Sequence, residues 1–290
     1  MQKTYLAAIL AVLSGSLMAQ TVVTVNGTKI DSSTVDAVVR NLQQQSNGQI
    51  TDNPGLRNEI TRRLAVSTVI AQEAKKLKLD QSNEYKQATE QARVAAKKAG
   101  ADKQPSFKQE WAMYETDLLN QAYFADVAQK NPVSETEVKQ AYDRLTNHYK
   151  GTQEVQLGEI VTNNSGDAEK ALSELKKKKS FQEVATKYSI DPQAKQTGGI
   201  VATYVPLKDL QQANPPMYQA IHNLRKGSHT EKPLQDNNGI YAIFYVNDKR
   251  TITIPPYDQI KERIGSDLQE ARIAEAVDSL VQKANIQPAR

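Results

Sequence analysis

The sequence predicts an α+β chain: a mainly helical N-terminal module completed by the last helix, and a second domain in which helices surround a small antiparallel sheet. Three observations lead there. At 290 residues the chain is long for one compact core. Apolar residues recur at helical spacing in the first half, where Leu56, Ile60 and Leu64 run on into Val66, Ile70, Ala74 and Leu77. From Gln153 the texture changes to a partly alternating strand, short helices and a closing hairpin, which is the order of an α+β domain.

Taken in order, the chain opens with Lys3, an apolar run LAAILAVL (residues 6–13) and small residues up to Ala19, the pattern of a cleavable export leader over residues 1–19. The run is too short for a bilayer-spanning helix, which needs roughly 20 residues. VVTVNGTKI (residues 22–30) reads as two short strands turned at Asn26-Gly27. The helical region follows, with a second stripe at Phe107, Trp111, Tyr114 and Leu118 that is expected to be core. Residues 81–100 are rich in Ala, Lys and Gln, helical by propensity but sparsely apolar. Asn131-Pro132 stops this region, and Ser134 with Glu137 forms a capping box for a bridge helix. The N-terminal module is therefore drawn over residues 20–150.

The second domain is drawn over residues 151–250. VQLGEIVT (residues 155–162) is its first strand, residues 168–178 a helix, and Ser180 with Glu183 a second capping box. YSIDPQAKQTGG (residues 188–199) is loop vocabulary, and a helix through Ala220 and Leu224 ends at Lys226-Gly227. A short strand near Leu234 and IYAIFYV (residues 240–246) close the unit across Asn237-Asn238-Gly239. After Pro255-Pro256 a last helix, residues 251–290, carries Tyr257, Ile260, Ile264, Leu268, Ala271, Val277 and Val281 on one stripe, which needs a surface to dock on.

Composition excludes several functions. There is no cysteine, hence no disulfide, thiolate metal site or thiol nucleophile. His148, His222 and His229 lack ligand spacing, so neither metal nor cofactor is expected. A net charge of +4 gives no footprint for nucleic acid, and no segment is long and apolar enough to be a transmembrane span.

The ordered set AEKALSELKKKKSFQEVATKYSIDPQAKQTGG, AIHNLRKG and NNGIYAIFYV resembles a parvulin-type peptidyl-prolyl cis-trans isomerase over residues 154–250. With VVTVNGTKI, NPVSETEVKQAYD and the terminal helix, the whole is similar to the SurA/PrsA-like exported foldases. The resemblance implies a site. The acid or cysteine that the family places before its Gly-Gly pair falls on Asp191. The family histidines of the first and last strands fall on Glu159 and Tyr241, both departures from the pattern. The apolar residue after Gly-Gly falls on Val201, and an aromatic residue of the proline pocket on Met217. The implied catalytic set is Asp191, Glu159 and Tyr241, and the implied substrate-binding pair Val201 and Met217.

The chemistry asks little of such residues. Amide delocalisation resists rotation by about 18–20 kcal/mol. An apolar cup that favours the twisted amide over the planar one lowers that barrier without covalent steps. Millisecond turnover needs on the order of 10⁴ in rate, and each lost hydrogen-bond partner forfeits about 1–3 kcal/mol. Loss of both histidines therefore points to weak catalysis or to none. In the first case the chain is a periplasmic foldase, in the second a holdase whose isomerase domain is a peptide clamp. The implied partners are unfolded or nascent exported proteins, outer-membrane precursors among them, and a homodimer is left open. Outside the resemblance, Asp191-Pro192 reads as a turn, Glu159 as a solvated strand residue, Tyr241 as cover for one sheet face, and Met217 as core.

Overall fold

A computed structural model describes residues 20–289. The leader expected at residues 1–19 lies outside the described residues. The fold is α+β, with a three-stranded and a four-stranded antiparallel sheet. It divides into two compact units, residues 1–133 with 266–290 and residues 134–265.

The first unit begins with β1 (Thr21–Val25) and β2 (Thr28–Asp31), turned by Asn26 and Gly27 at φ 47° and 86°. Two successive positive φ angles are what a tight hairpin of right-handed twist requires. α1 (Ser32–Gln45) buries Val35 and Val39. α2 (Pro54–Lys76) starts where Asn53 accepts a hydrogen bond from the Leu56 N–H at 3.0 Å, with Pro54 in the first turn, where a missing N–H costs nothing. It buries Ile60, Ala65, Val69, Ile70, Ala71 and Ala74.

α3 (Asn83–Lys98) buries no residue, as its composition predicts, and Arg93 lies 5.1 Å above the Trp111 ring. α4 (Phe107–Lys130) departs from the expected stripe. Its buried residues are Leu119, Tyr123 and Val127, whereas Phe107, Trp111 and Tyr114 form an aromatic ladder with Tyr114 exposed. The partners differ: Trp111 lies under Arg93 of the polar α3, whereas Leu119, Tyr123 and Val127 join the α2 core.

The second unit opens with α5 (Glu135–Tyr149), whose capping box of Ser134 and Glu137 is formed. This bridge helix groups with the second unit, on the other side of the division from the 20–150 module drawn from sequence. β3 (Gln153–Thr162), α6 (Ser165–Lys176), α7 (Phe181–Tyr188) and α8 (Ala194–Thr197) follow. α6 starts earlier than its apolar residues indicate, because Asn164 caps it. β4 (Ile200–Pro206) is a strand that the sequence pattern does not predict. α9 (Leu207–Ala213) and α10 (Pro215–Ile221) lead to β5 (Leu234–Gln235) and β6 (Tyr241–Thr251). The sheet order is β4-β3-β6-β5. One face buries Ile160 and Ile243 against α6 and α7. The other buries Leu157, Phe244 and Val246 with Leu210 and Ile221 of α9 and α10. Full burial of each such side chain stabilises by about 1.5–3 kcal/mol.

α11 (Tyr257–Lys283) belongs to both units by residue number. Within the second unit the Tyr257 ring meets Tyr142 of α5 edge-on at 5.4 Å. Within the first, Ile273, Ala276, Val277 and Leu280 pack on the α2 and α4 core, so the docking residues of this half include Ile273, Ala276 and Leu280 beside the expected Val277. β7 (Ile286–Pro288), also absent from the sequence reading, then pairs with β1, Val25 opposite Ile286.

Candidate functional site

The site lies where β3 runs out past the end of β4. From there the free edge of β3 is taken up by the loop that connects α7 to β4. The Val161 N–H donates to Ser189 Oγ at 3.2 Å, and the Ile190 N–H donates to the Val161 carbonyl at 2.8 Å. At the other end the Glu159 N–H donates to the Gly199 carbonyl at 2.8 Å. Residues 190–199 thus leave β3 at Val161 and return to it at Glu159. That fixes Asp191 beside Glu159.

The loop holds this path for identifiable reasons. Asp191 Oδ1 accepts from the Gln193 N–H at 2.9 Å, an Asx turn that proline at the intervening position favours. Gly198 and Gly199 sit at φ 62° and 74°. A Cβ on Gly199 would lie 2.7 Å from the Glu159 carbonyl and 2.8 Å from the Ala185 Cβ, so the second glycine is needed for backbone to close on backbone. Beneath the strand, a Cβ on Gly158 would lie 2.5 Å from the Phe181 ring, which stacks on Tyr245 at 4.5 Å. α7 can press against β3 only because that position is bare.

Strand register decides which side chains meet. Opposite residues of an antiparallel pair share a face. Glu159 faces Phe244, and Val161 faces Ala242, on the side of α9 and α10. Tyr241 faces Thr162, on the side of α6 and α7. Tyr241, expected in the catalytic set, lies on the opposite face of the sheet from Glu159, because one residue along a strand reverses the side chain. The β6 residues on Glu159's face are Ala242 and Phe244.

Of the other expected residues, Asp191 lies close enough for its charge to act on Glu159. Asp191 is exposed at the loop's start. Val201, 43% exposed, follows Ile200, which packs on the α7 side, and begins the bulge in β4. Met217, in the first turn of α10, is half-buried and packs against the cluster that contains Phe244. Ile190, 47% exposed and adjacent to Asp191, was not singled out from sequence, nor were Ser189 and Phe244. An isoleucine left in water beside Asp-Pro was a readable signal. The role of Ser189 depends on a backbone partner 28 positions away, which no local pattern records.

Burial pushes the Glu159 carboxyl above the ordinary carboxylate range, and the nearby Asp191 charge adds to the rise. A protonated Glu159 can donate a hydrogen bond where the ionised form only accepts. Among the described residues no cluster of His, Asp or Glu could hold a metal, and no helix is long and apolar enough to cross a membrane.

Residues 133–262 match the PPIC-type PPIase domain family. The chain carries a parvulin-type PPIase domain. Relatives agree along its length. A Bordetella bronchiseptica protein named "Probable parvulin-type peptidyl-prolyl cis-trans isomerase" is 28% identical over 288 residues, 99% of this chain and 100% of that one. Foldase protein PrsA 2 of Bacillus cereus is 29% identical over 181 residues, 59% of this chain and 58% of its own. A solved structure from Campylobacter jejuni, described among SurA-like chaperones, covers 91% of this chain and 96% of its own at 22% identity and a TM-score of 0.34, too loose an overlay to bear on the site. In this parvulin-type domain the acid-bearing loop and the first-strand residue are brought together, while the last-strand tyrosine is turned away.

Proposed function

We propose that this chain is an exported foldase that holds unfolded client segments and binds or weakly isomerises X-Pro bonds at the Asp191 and Glu159 site. One observation carries the reading: a loop pinned at both ends to β3 sets the two carboxyl groups together, with the exposed apolar Ile190 next to Asp191. A prolyl ring needs apolar contact, and the twisted amide needs a polar group that interacts with it better than with the planar form. Val201, Met217 and Ile190 supply the first requirement, and Asp191 with protonatable Glu159 the second. The leader sequence supports action outside the cytoplasm, and outer-membrane precursors are the clients that the resemblance suggests.

The turn of Tyr241 to the far face favours a second reading. It removes a hydroxyl donor from the reacting centre, which suits a clamp that holds proline segments without turning them over.

One experiment separates the two. Exchange NMR on an Ala-Pro peptide with the full chain should show faster isomerisation, falling about tenfold with Asp191→Ala, the loss of one positioned polar group. Binding of the same peptide with an unaltered exchange rate establishes the clamp. No binding and no acceleration would overturn both readings.

A further inference from the structure

Several sheltered carboxylates of the second unit are met by cations. Glu154 lies 2.7 Å from Arg250, Glu174 lies 3.0 Å from Lys179 and 2.7 Å from Lys187, and Asp248 lies 2.8 Å from Lys226. Glu159 is different. It is half-buried, yet its carboxyl group has no cation or hydrogen-bond donor among the described residues, and the charge that acts on it is the like charge of Asp191. The loop attachments at Val161 and Glu159 hold that like-charged pair together. Asp191 Oδ1 is occupied by the Gln193 N–H, and its second oxygen is left for an incoming donor. Ile190, apolar and 47% exposed, precedes Asp191, and Val201, 43% exposed, lies two residues after the loop returns to β3 at Gly199.

A lysine or arginine side chain answers each of these features. Its charged head relieves the repulsion between the carboxyl groups, and its aliphatic stem covers exposed apolar surface. An aspartate or glutamate would add a third negative charge. On the reading of the site given above, we propose that Glu159 and Asp191 act as a charge filter, selecting proline segments with Lys or Arg beside the proline over those with Asp or Glu. The determinant is a departure from the family pattern: an acid stands where the family's first strand has a histidine.

The test uses the full chain and three peptides that differ only in the residue before proline, Lys, Ala or Glu. Affinity is read by fluorescence anisotropy and turnover by exchange NMR. The Lys peptide should be favoured over the Glu peptide by about tenfold at low salt, with the gap narrowing at high salt as the charges are screened. Glu159→Gln and Asp191→Asn should each reduce the ratio to about threefold, and Glu159→Asp should retain most of it. A chain that handles the Ala peptide but does not distinguish Lys from Glu, or whose preference survives both neutral variants, overturns the filter and leaves the site standing. Failure with all three peptides overturns the filter and the site together.

Discussion

Consecutive residues of β3 meet opposite environments. Ile160 is fully buried against α6 and α7, while its neighbour Glu159 lies half-exposed on the other face. On β6 the same alternation puts Tyr241, Ile243 and Tyr245 on the α6 and α7 side, and Ala242, Phe244 and Val246 on the α9 and α10 side. The first face is closed by a stacked ring pair and a bare glycine that lets it approach. The second is covered by two seven-residue helices, and the side chains on it include the half-buried carboxyl group of Glu159. Both faces bury an apolar cluster, and the proposed site lies at the edge of the second.

Variants should separate the packing of the sheet from the proposed site. The largest effect is expected from Ile243→Ala on the closed face: removing a fully buried side chain costs about 2–5 kcal/mol, read as a lower urea midpoint with the slope unchanged. An equal loss from Val201→Ala would erase the contrast between the core and the proposed site. Gly199→Ala should cost about 1–3 kcal/mol, from the strained φ and from contact with the Glu159 carbonyl, and it should weaken proline-peptide binding as the loop is pushed off β3. Normal binding by a destabilised variant would show that the loop path does not matter to the site.

The smallest effect has a sign that depends on pH. The folded-state pKa of Glu159 is raised, so its contribution to stability is complete below its ordinary value of 4.5 and is lost as pH rises through the folded value. Glu159→Gln does not ionise. Its stability relative to the parent chain should therefore improve from acid toward neutral pH, as measured by urea unfolding on either side of that window. A stability relative to the parent that stays flat or falls as pH rises would contradict the burial assigned to this carboxyl group.

Much of the fold was legible because its determinants are local. Asn26-Gly27 needs only its own backbone angles, and the two capping boxes close within four residues. The α4 stripe was misplaced because residue spacing identifies a helix face but not what that face meets. β4 escaped notice because Ala202 and Thr203 lie exposed in a bulge, so no alternation marks them. β7 has three residues and a proline, and exists only as a partner for β1. For the site, the Asp191 and Gly-Gly spacing was readable, since the loop's own turn chemistry fixes it. The face of Tyr241 was not. It depends on the register of β6 against a strand nearly 80 positions earlier, and on a bulge at Asn247 that resets the alternation of β6.

The pairing of β1 with β7 has a consequence for the order of events as the chain is made. Val25 finds its partner Ile286 only when residues 286–288 have emerged, and closing so long a loop costs roughly 5 kcal/mol in chain entropy. Residues 134–265, by contrast, are contiguous and complete well before the end of synthesis. The isomerase-type unit can therefore fold as an insertion while the unit that surrounds it in sequence still waits for its closing strand, and the finished insertion shortens the flexible path which that strand must search.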